Sequence, residues 1–262
     1  MLELFNKIII FIFLLCIFLN IFNKFKGGNL NNDIPKKIIS TYHTKNKIPD
    51  KVFKNIKQYA PNYEYIIFDD NDIINFLNKY YNKDVVEKFN IYKGPHKADL
   101  FRYCYLYKFG GIYLDIKTEL IMNVDEIFNK NNIDLYTVMN KNNKSIYQGI
   151  IASKPNNPLF KKLIDHMLSL EVPKNSSNPG TSFYHLFTKQ FYLELLNYYD
   201  KNIILSGFTK DLNNKYNLYL FSERCSPKEY CSDGLDRYNL CCNIYDDDKK
   251  IIKTRYSDYP WN

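Results

Sequence analysis

The sequence predicts an α/β domain, with a mainly parallel central sheet flanked by helices, behind an N-terminal transmembrane helix. Three observations support this prediction. An apolar run extends from Ile8 to Leu19, and strand-like segments alternate with helix-like segments from Ile34 onward. Such alternation is typical of parallel α/β sheets. The 262 residues are also 45% hydrophobic, which suffices for one substantial core and excludes a disordered chain.

The charge of the chain is basic but diffuse. Lys and Arg number 36 against 28 Asp and Glu, so the formal net charge is +8. The basic residues form no arginine-rich stripe and no recognisable nucleic-acid-binding motif, so we expect no nucleic-acid partner. A diffuse positive field equally suits a small anionic ligand, such as a nucleoside diphosphate.

The apolar run predicts a single-pass membrane anchor over residues 1–24. About 19 mostly apolar residues, counted from Leu4, make a helix of roughly 28 Å, which just spans a thin bilayer. An uncleaved anchor is favoured over a cleaved signal peptide because few small residues follow Leu19. Lys7 and Lys24 flank the run on both sides, so charge does not fix the orientation.

Residues 25–33 are rich in Gly and Asn and are predicted to form a flexible linker before one domain, residues 34–262. Capping residues mark the helix ends of this domain: aspartates precede two helices, a Gly-Pro pair starts a third and a Gly-Gly pair ends it. The last third has no clear pattern. The elements predicted before it are strands at Lys37–Thr41, Tyr63–Phe68 and Ile112–Leu114 and helices at Asp50–Tyr59, Asn71–Lys79 and Pro95–Phe109.

The most informative segment is Lys97–Glu119, KADLFRYCYLYKFGGIYLDIKTE. Asp99 and Arg102 are three residues apart and therefore share one face of the predicted helix. The following strand, Ile112–Leu114, is apolar and delivers Asp115 at its carboxyl end. Ligands of open α/β sheets bind beyond the carboxyl ends of strands, and packing alone explains an acid there poorly.

Two parts of this segment, ADLFRY at Ala98–Tyr103 and GGIYLD at Gly110–Asp115, resemble the sugar-nucleotide-binding core of glycosyltransferase family 32. These are the Och1-like enzymes with an Asp-x-Asp motif. The resemblance covers Ile34–Phe128 well and continues weakly through Gln148–Ser153. It implies a GT-A fold. It also implies a hexosyltransferase that moves mannose, galactose or glucose from a nucleotide-diphosphate sugar to a glycan, glycolipid or glycoprotein acceptor, with retention of configuration.

The resemblance further implies roles for single residues. Asp99 is expected to bind hydroxyls of the donor sugar or ribose, and Arg102 to orient Asp99 or touch the donor. Tyr42 is expected near the nucleotide base, and its neighbour Thr41 is expected among the donor-binding residues. Gln148, which precedes a β-rich run, is expected to face the donor.

Asp115 is the residue that the resemblance implies as ligand of a divalent cation, Mn²⁺ or Mg²⁺, bridging the donor diphosphate. The second Asp of the motif is replaced here by Lys117, so one metal ligand is lost and a positive charge is gained. Three alternatives stay open: Asp115 suffices with help from a C-terminal residue, Lys117 itself neutralises the diphosphate, or the protein is inactive. Glu119 is a poor substitute ligand, because an extended strand separates it from Asp115 by about 13 Å.

An inactive protein of this kind would be a membrane protein that binds a sugar nucleotide or a glycan, which is the alternative function. We expect a single-pass membrane protein of the ER or Golgi type, with its catalytic domain in the lumen. Four cysteines in the C-terminal fifth lack zinc-site spacing; they are expected to form one or two disulfides in a lumen and to stay thiols in a cytosol. Trp261 is predicted either to cover the active site or to fix the tail. The four cysteines are Cys225, Cys231, Cys241 and Cys242.

Overall fold

The computed structural model describes residues 33–171, 180–198, 207–210, 217–230, 234–235 and 239–261. The predicted anchor, residues 1–24, and all but the last residue of the predicted linker lie outside this part. Within the described ranges, no helix is both long enough and apolar enough to cross a bilayer.

The described elements alternate between strand and helix in the first half and are mostly strands at the end. The strands are β1 Lys37–Thr41, β2 Glu64–Phe68, β3 Gly111–Leu114, β4 Glu119–Leu120, β5 Leu135–Met139, β6 Ile146–Ser153, β7 Gly207–Lys210, β8 Asn217–Pro227, β9 Leu240–Asp246 and β10 Lys249–Lys253. The helices are α1 Asp50–Tyr59, α2 Asp70–Tyr80, α3 Lys83–Ile91, α4 Pro95–Phe109, α5 Val124–Ile127, α6 Pro158–Ser169 and α7 Gly180–Tyr198.

The strands form one mixed sheet in the order β2-β1-β3-β6-β5-β8-β9-β10-β4, with β7 beside the first half of β8. Only the pairs β1–β2, β1–β3 and β5–β8 are parallel among the described strands. The prediction of a mainly parallel sheet is therefore wrong. The reason lies in the connections: β9 and β10 are joined by the two-residue turn Asp247–Asp248, and so short a link forces antiparallel pairing.

The predicted first-half elements agree closely with the structure. The bounds of β1, α1 and α4 are as predicted, and β2 begins one residue later than predicted. Helix α2 begins at Asp70, and a capping box joins the side chains of Asp69 and Asp72 to the backbone of the first turn. Asp50 is the first helical residue of α1 and not its N-cap, which is Pro49. Helix α3 was not predicted.

The sheet carries a hydrophobic core on each face. Alternate residues of a strand point to opposite faces. Ile39 of β1 packs with residues of α2, α3, α4, α6 and α7, whereas Ile38 packs with residues of α1 and α5. The described architecture is thus an α/β fold with a mixed sheet flanked by helices.

Helix α4 lies inside the larger of these cores. The residues from Leu100 to Leu106 are all buried, on every side of the helix. A helix that is apolar and buried all round must be surrounded by protein, and α4 contacts α2, α3, α6 and β3. Cys104 is a buried free thiol. The backbone that carries Asp99 and Arg102 is consequently fixed by its neighbours.

The reversal from α4 into β3 depends on two glycines. Gly110 has φ +64° and Gly111 has φ +102°, conformations that residues with a Cβ rarely adopt. A Cβ on Gly110 would lie 2.7 Å from the backbone oxygen of Ser153 and 2.7 Å from the backbone nitrogen of Pro155. Backbone atoms cannot rotate away, so this turn needs glycine to place the end of β3 beside α4.

A disulfide joins the last part of the sheet. Cys225 of β8 and Cys242 of β9 are directly opposite in the antiparallel register and are bonded to each other. Cys241 is disulfide-bonded as well. Cys231 lies outside the described residues. The expectation of a disulfide in the C-terminal fifth is therefore confirmed for Cys225 and Cys242.

Replacing Gly110 by alanine should destabilise the protein strongly. Strain at positive φ and the clash with backbone atoms together should cost at least about 3 kcal/mol of the free energy of unfolding. Gly94→Ala is the matched control, because Gly94 also has positive φ but a Cβ there meets no atom within 4 Å. It keeps only the strain of its own backbone conformation (φ +51°, ψ −126°), so it should cost about 2 kcal/mol, less than Gly110→Ala. Urea unfolding of both variants measures the difference, and equal losses would contradict the clash.

Candidate active site

A cleft of about 1500 Å³ lies beyond the carboxyl ends of β1, β2 and β3. Its lining includes Thr41 just at the end of β1, Phe68 at the end of β2 and Asp115 just after β3. Other parts of the lining come from the β5–β6 connection, from α7 and from the C-terminal residues. The cleft occupies the place at which open α/β sheets bind ligands, and its volume exceeds that of most small-molecule pockets.

The cleft is lined by more cationic than anionic side chains. Seven Lys or Arg residues face four Asp or Glu residues along it. Low-dielectric walls lined by one sign of charge attract ligands of the other sign. The cleft therefore favours an anionic ligand. The cationic residues are Lys47, Lys93, Lys97, Arg102, Lys117, Lys141 and Arg255, and the anionic ones are Asp70, Asp99, Asp115 and Glu223.

The guanidinium of Arg102 brings the two predicted aspartates together. Its Nη2 lies 3.2 Å from Oδ1 of Asp99 and 3.5 Å from Oδ1 of Asp115. Asp99 precedes Arg102 by one turn of α4, whereas Asp115 arrives from the end of β3. The prediction that helix and strand place these two acids at one site is supported by this geometry.

Arg102 is itself held on several sides. Its side chain is only 5% exposed. Nη1 donates to the backbone oxygen of Gln148 at 2.5 Å, Nε donates to that of Ala98 at 3.2 Å, and the guanidinium carbon lies 4.3 Å from the ring centre of Tyr113. Burial by itself lowers the pKa of Arg102, but Tyr113 and the two aspartates outweigh burial and raise the pKa.

Asp115 is an anion whose charge is well compensated. Its Oδ1 accepts a hydrogen bond from the hydroxyl of Tyr113 at 3.1 Å, and its Oδ2 lies 3.5 Å from Nζ of Lys117. Burial alone would raise the pKa of Asp115, but the charges of Lys117 and Arg102 and the Tyr113 hydrogen bond hold it below its usual value. Its backbone N–H donates to the oxygen of Gly149 at 2.8 Å, which fixes the carboxylate at the rim of the sheet.

Asp99 is buried more deeply than Asp115, and its carboxylate accepts fewer hydrogen bonds. Its side chain is 1% exposed and lies 3.5 Å from Nδ1 of His96, which also lines the cleft. Among the described residues, neither carboxylate oxygen of Asp99 accepts a hydrogen bond of good geometry. A buried carboxylate retains a strong need for donors, so Asp99 is suited to bind hydroxyl groups of a ligand in the cleft.

The C-terminal residues fold onto the cleft next to Tyr42. The hydroxyl of Tyr42 donates to the backbone oxygen of Trp261 at 2.9 Å, and their ring centres are 6.2 Å apart. The ring of Trp261 also contacts those of Tyr256 and Tyr259, and Trp261 and Tyr259 line the cleft. Trp261 therefore both fixes the tail and forms part of the cleft wall.

Thr41 lines the cleft as well and places its hydroxyl 3.2 Å from that of Tyr113. Gln148 requires a correction, because it is fully buried and does not line the cleft. Its side-chain oxygen accepts from the hydroxyl of Tyr103 at 2.6 Å while its backbone oxygen holds Arg102. Gln148 thus supports the site from behind.

Sequence reasoning missed several cleft residues that come from distant parts of the chain. Thr188 on α7, Arg255 and Tyr259 all line the cleft. None of them lies in a motif, and the density of aromatic residues around Trp261 was the one available signal for the tail.

The residues around Asp115 fit a divalent cation poorly. Mn²⁺ and Mg²⁺ prefer several oxygen ligands, with carboxylates first. Here one carboxylate oxygen faces the ammonium of Lys117 and the other faces Arg102, and Glu119 is paired with Lys253 at 3.4 Å. Over the described ranges, three metal-binding side chains meet only at Glu223, Cys225 and Cys242, whose cysteines form the disulfide. The predicted cation at Asp115 gains no second carboxylate from this geometry.

Removing the guanidinium by Arg102→Met should leave two neighbouring carboxylates without their shared counter-charge. We expect a loss of about 3–5 kcal/mol in the free energy of unfolding at pH 7. The difference from wild type should persist from pH 7 to about 4 and narrow below it, because the stabilisation that the lowered pKa of Asp115 provides is lost only once the pH falls below the ordinary aspartate pKa.

Lys161→Met is the control for this measurement, because its ion pair with Asp165 is half exposed. It should change stability by less than about 0.5 kcal/mol at any pH. Urea unfolding at a series of pH values provides the data. A loss in Arg102→Met that is small or independent of pH would contradict a charge-compensating role.

Comparison with known proteins gives a consistent result. A family model described as glycosyltransferase sugar-binding region containing DXD motif matches residues 49–134. Inositol phosphoceramide mannosyltransferase 3 of Schizosaccharomyces pombe is 33% identical over 100 residues, which are 37% of this chain and 28% of that protein. Initiation-specific alpha-1,6-mannosyltransferase of Saccharomyces cerevisiae is 34% identical over 100 residues, 37% of this chain and 20% of that protein. The chain thus matches less than a third of either relative.

Among solved structures, the PaToxG glycosyltransferase overlaps with a TM-score of 0.46 and 18% identity, over 65% of this chain and 73% of that one. A likeness at this level is too low to support an inference. The family model and the two relatives, in contrast, confirm the resemblance to glycosyltransferase family 32 for the part that they match, and residues 49–134 are similar to a sugar-binding region of the DXD type.

Proposed function

We propose that this protein is a hexosyltransferase with a GT-A fold that moves a hexose from a nucleotide-diphosphate sugar to a glycan or lipid-linked acceptor. One observation carries the proposal: Asp99 and Asp115 share the guanidinium of Arg102 at the wall of a cationic cleft beyond parallel strands. Anionic groups that bind hydroxyls and cationic groups that attract a diphosphate are both needed to hold such a donor.

The donor is bound by groups of opposite charge in this proposal. The buried carboxylate of Asp99 accepts hydrogen bonds from hydroxyls of the sugar or ribose, and Arg102 fixes its orientation. Thr41 and Tyr42 line the part of the cleft where the nucleotide base binds. The cleft volume of about 1500 Å³ leaves space for part of an acceptor beside the donor.

Transfer breaks the bond between the anomeric carbon and a phosphate oxygen of the donor. The bonding electrons remain on that oxygen, so negative charge develops on the leaving diphosphate and nearby cations stabilise it. An acceptor hydroxyl oxygen forms the new bond to the anomeric carbon, and its proton passes to the departing diphosphate. Retention of configuration, which the resemblance implies, is part of the proposal.

Mannose is the sugar that we propose first. Both relatives are named mannosyltransferases, one of an inositol phosphoceramide and one of alpha-1,6 linkages. A glycolipid or a glycan is accordingly the proposed acceptor class. The two names differ in the acceptor, so the similarity does not choose between these classes.

We also propose that the domain works in the lumen of an endomembrane compartment of the ER or Golgi type, held there by the apolar segment within residues 1–24. The bond between Cys225 and Cys242 supports this location, because disulfides form and persist in oxidising compartments. An enzyme anchored in this way meets lipid-linked and glycoprotein acceptors at the membrane surface.

Turnover of nucleotide sugars by single-residue variants tests the proposal. Asp115→Asn and Asp99→Asn should each lower the release of nucleoside diphosphate from the matching donor by at least about 100-fold. The matched control is Asp246→Asn. Asp246 is 22% exposed against 23% for Asp115, and it pairs with Lys130 away from the cleft. Circular dichroism and thermal unfolding verify that each variant is folded.

Three outcomes are informative. The proposal is supported if Asp99→Asn and Asp115→Asn lose turnover while Asp246→Asn retains it. Binding of a nucleotide sugar without any turnover by wild type would favour the alternative, a catalytically inactive binding protein. Equal turnover by wild type and Asp115→Asn would contradict the assignment of the site.

A further inference from the structure

Lys117 has a fixed backbone position in the wall of the cleft. It lies in the turn after β3, where the N–H of Thr118 donates to the oxygen of Asp115 at 2.8 Å. Its own backbone oxygen accepts from the N–H of Tyr256 at 3.0 Å, so the backbone is held from two sides. Its side chain is 25% exposed and lines the cleft. The ammonium is therefore presented to a ligand from a fixed backbone.

Among the described residues, the ammonium of Lys117 has fewer partners than it has donors. An ammonium group carries three N–H donors. Among the described residues, its charged partner is Oδ2 of Asp115, at 3.5 Å. Lys97, in comparison, is paired at 2.5 Å with Asp70, and Arg255 donates at 2.9 Å to the backbone oxygen of Leu235. Lys117 can donate to phosphate oxygens without leaving Asp115.

The summed charge of Asp99, Arg102, Asp115 and Lys117 supports the same conclusion. An Asp-x-Asp motif presents two negative charges, which a divalent cation balances. Exchange of the second aspartate for lysine changes the local charge by +2, which equals the charge of that cation. With Arg102 and Lys117 against Asp99 and Asp115, the four side chains are already neutral in sum. A further doubly charged cation would be repelled by two neighbouring positive groups.

We propose that the Lys117 ammonium takes the place of a divalent cation and binds the diphosphate of the donor, so that donor binding and transfer proceed without metal. The inference rests on the proposed function. The Lys117 ammonium donates to the phosphate oxygens on which charge develops. Asp115 orients the ammonium and does not bind a metal.

Binding of nucleoside diphosphates by titration calorimetry provides the first test, with GDP and UDP as probes and EDTA or Mn²⁺ in the buffer. For the probe that binds, the affinity of wild type should be equal within about twofold in EDTA and in Mn²⁺. Lys117→Ala should weaken binding at least about tenfold in both buffers, whereas Lys117→Arg, which keeps the charge, should stay within about threefold of wild type.

Lys253→Ala is the matched control. Lys253 is 26% exposed and pairs with Glu119 at 3.4 Å, much as Lys117 pairs with Asp115, but it does not line the cleft. The Lys253→Ala variant should bind GDP or UDP with the same affinity as wild type. A loss in Lys253→Ala as large as that in Lys117→Ala would overturn the specific role of Lys117.

Lys117→Asp provides a gain-of-function test. This variant restores two carboxylates to the motif, so it should bind Mn²⁺, as measured by loss of the free Mn²⁺ signal in electron paramagnetic resonance, and should need Mn²⁺ to bind the diphosphate. Wild type should leave the Mn²⁺ signal unchanged. Binding of Mn²⁺ by wild type at one site per chain would overturn the inference.

Turnover in the two buffers separates this inference from the proposed function. Turnover by wild type in EDTA that is lost in Lys117→Ala supports both. Turnover that requires Mn²⁺ leaves the proposed function standing and overturns the role of Lys117. Absence of both diphosphate binding and turnover in either buffer overturns both.

Discussion

The candidate site depends on one buried guanidinium. Arg102 is nearly inaccessible to solvent, and a charge so buried must be paired and hydrogen-bonded. Asp99 and Asp115 supply the opposite charge, and the backbone oxygens of Ala98 and Gln148 accept hydrogen bonds from Nε and Nη1. Because these partners belong to α4, β3 and β6, satisfying one side chain requires three elements to meet at one place. The cleft wall is a consequence of that requirement.

Other features of the fold help to bring α4, β3 and β6 together around Arg102. The all-round burial of α4 fixes the height of Arg102 in the core, and the glycine turn after Phe109 returns the chain directly beside the helix. The parallel strands β1, β2 and β3 then end at one edge and leave the open space that the cleft occupies. At Asp115, the position at the end of the parallel strands and the charged side chain both indicate a ligand-binding site.

Local sequence signals predicted most helices and strands of the first half of the fold, but not helix α3. The Gly-Pro and Gly-Gly pairs gave the bounds of α4, whereas the predicted N-cap of α1, Asp50, is its first helical residue. The spacing of Asp99 and Arg102 gave their common face. The sheet was predicted incorrectly because strand direction depends on connection length, and the two-residue turn that joins β9 and β10 lies in the part of the chain without clear periodicity.

Long-range contacts explain what the sequence did not reveal about the site. Gln148 was expected at the donor, yet the hydroxyl of Tyr103 draws its side chain into the core. The contact between Tyr42 and Trp261 joins residues 219 positions apart, and no local pattern encodes it. Lys117 was visible as a departure from a motif, but only the geometry reveals that its ammonium and Arg102 face the two oxygens of Asp115.

A crystal structure of the protein with an intact nucleotide-diphosphate sugar, such as GDP-mannose, tests the central claim most directly. The account predicts that donor hydroxyls lie within about 3.2 Å of the Asp99 carboxylate and that the diphosphate lies beside Lys117 in the same cleft. A donor bound at another surface, or bound in this cleft with its diphosphate directed away from Asp115 and Lys117, would contradict it.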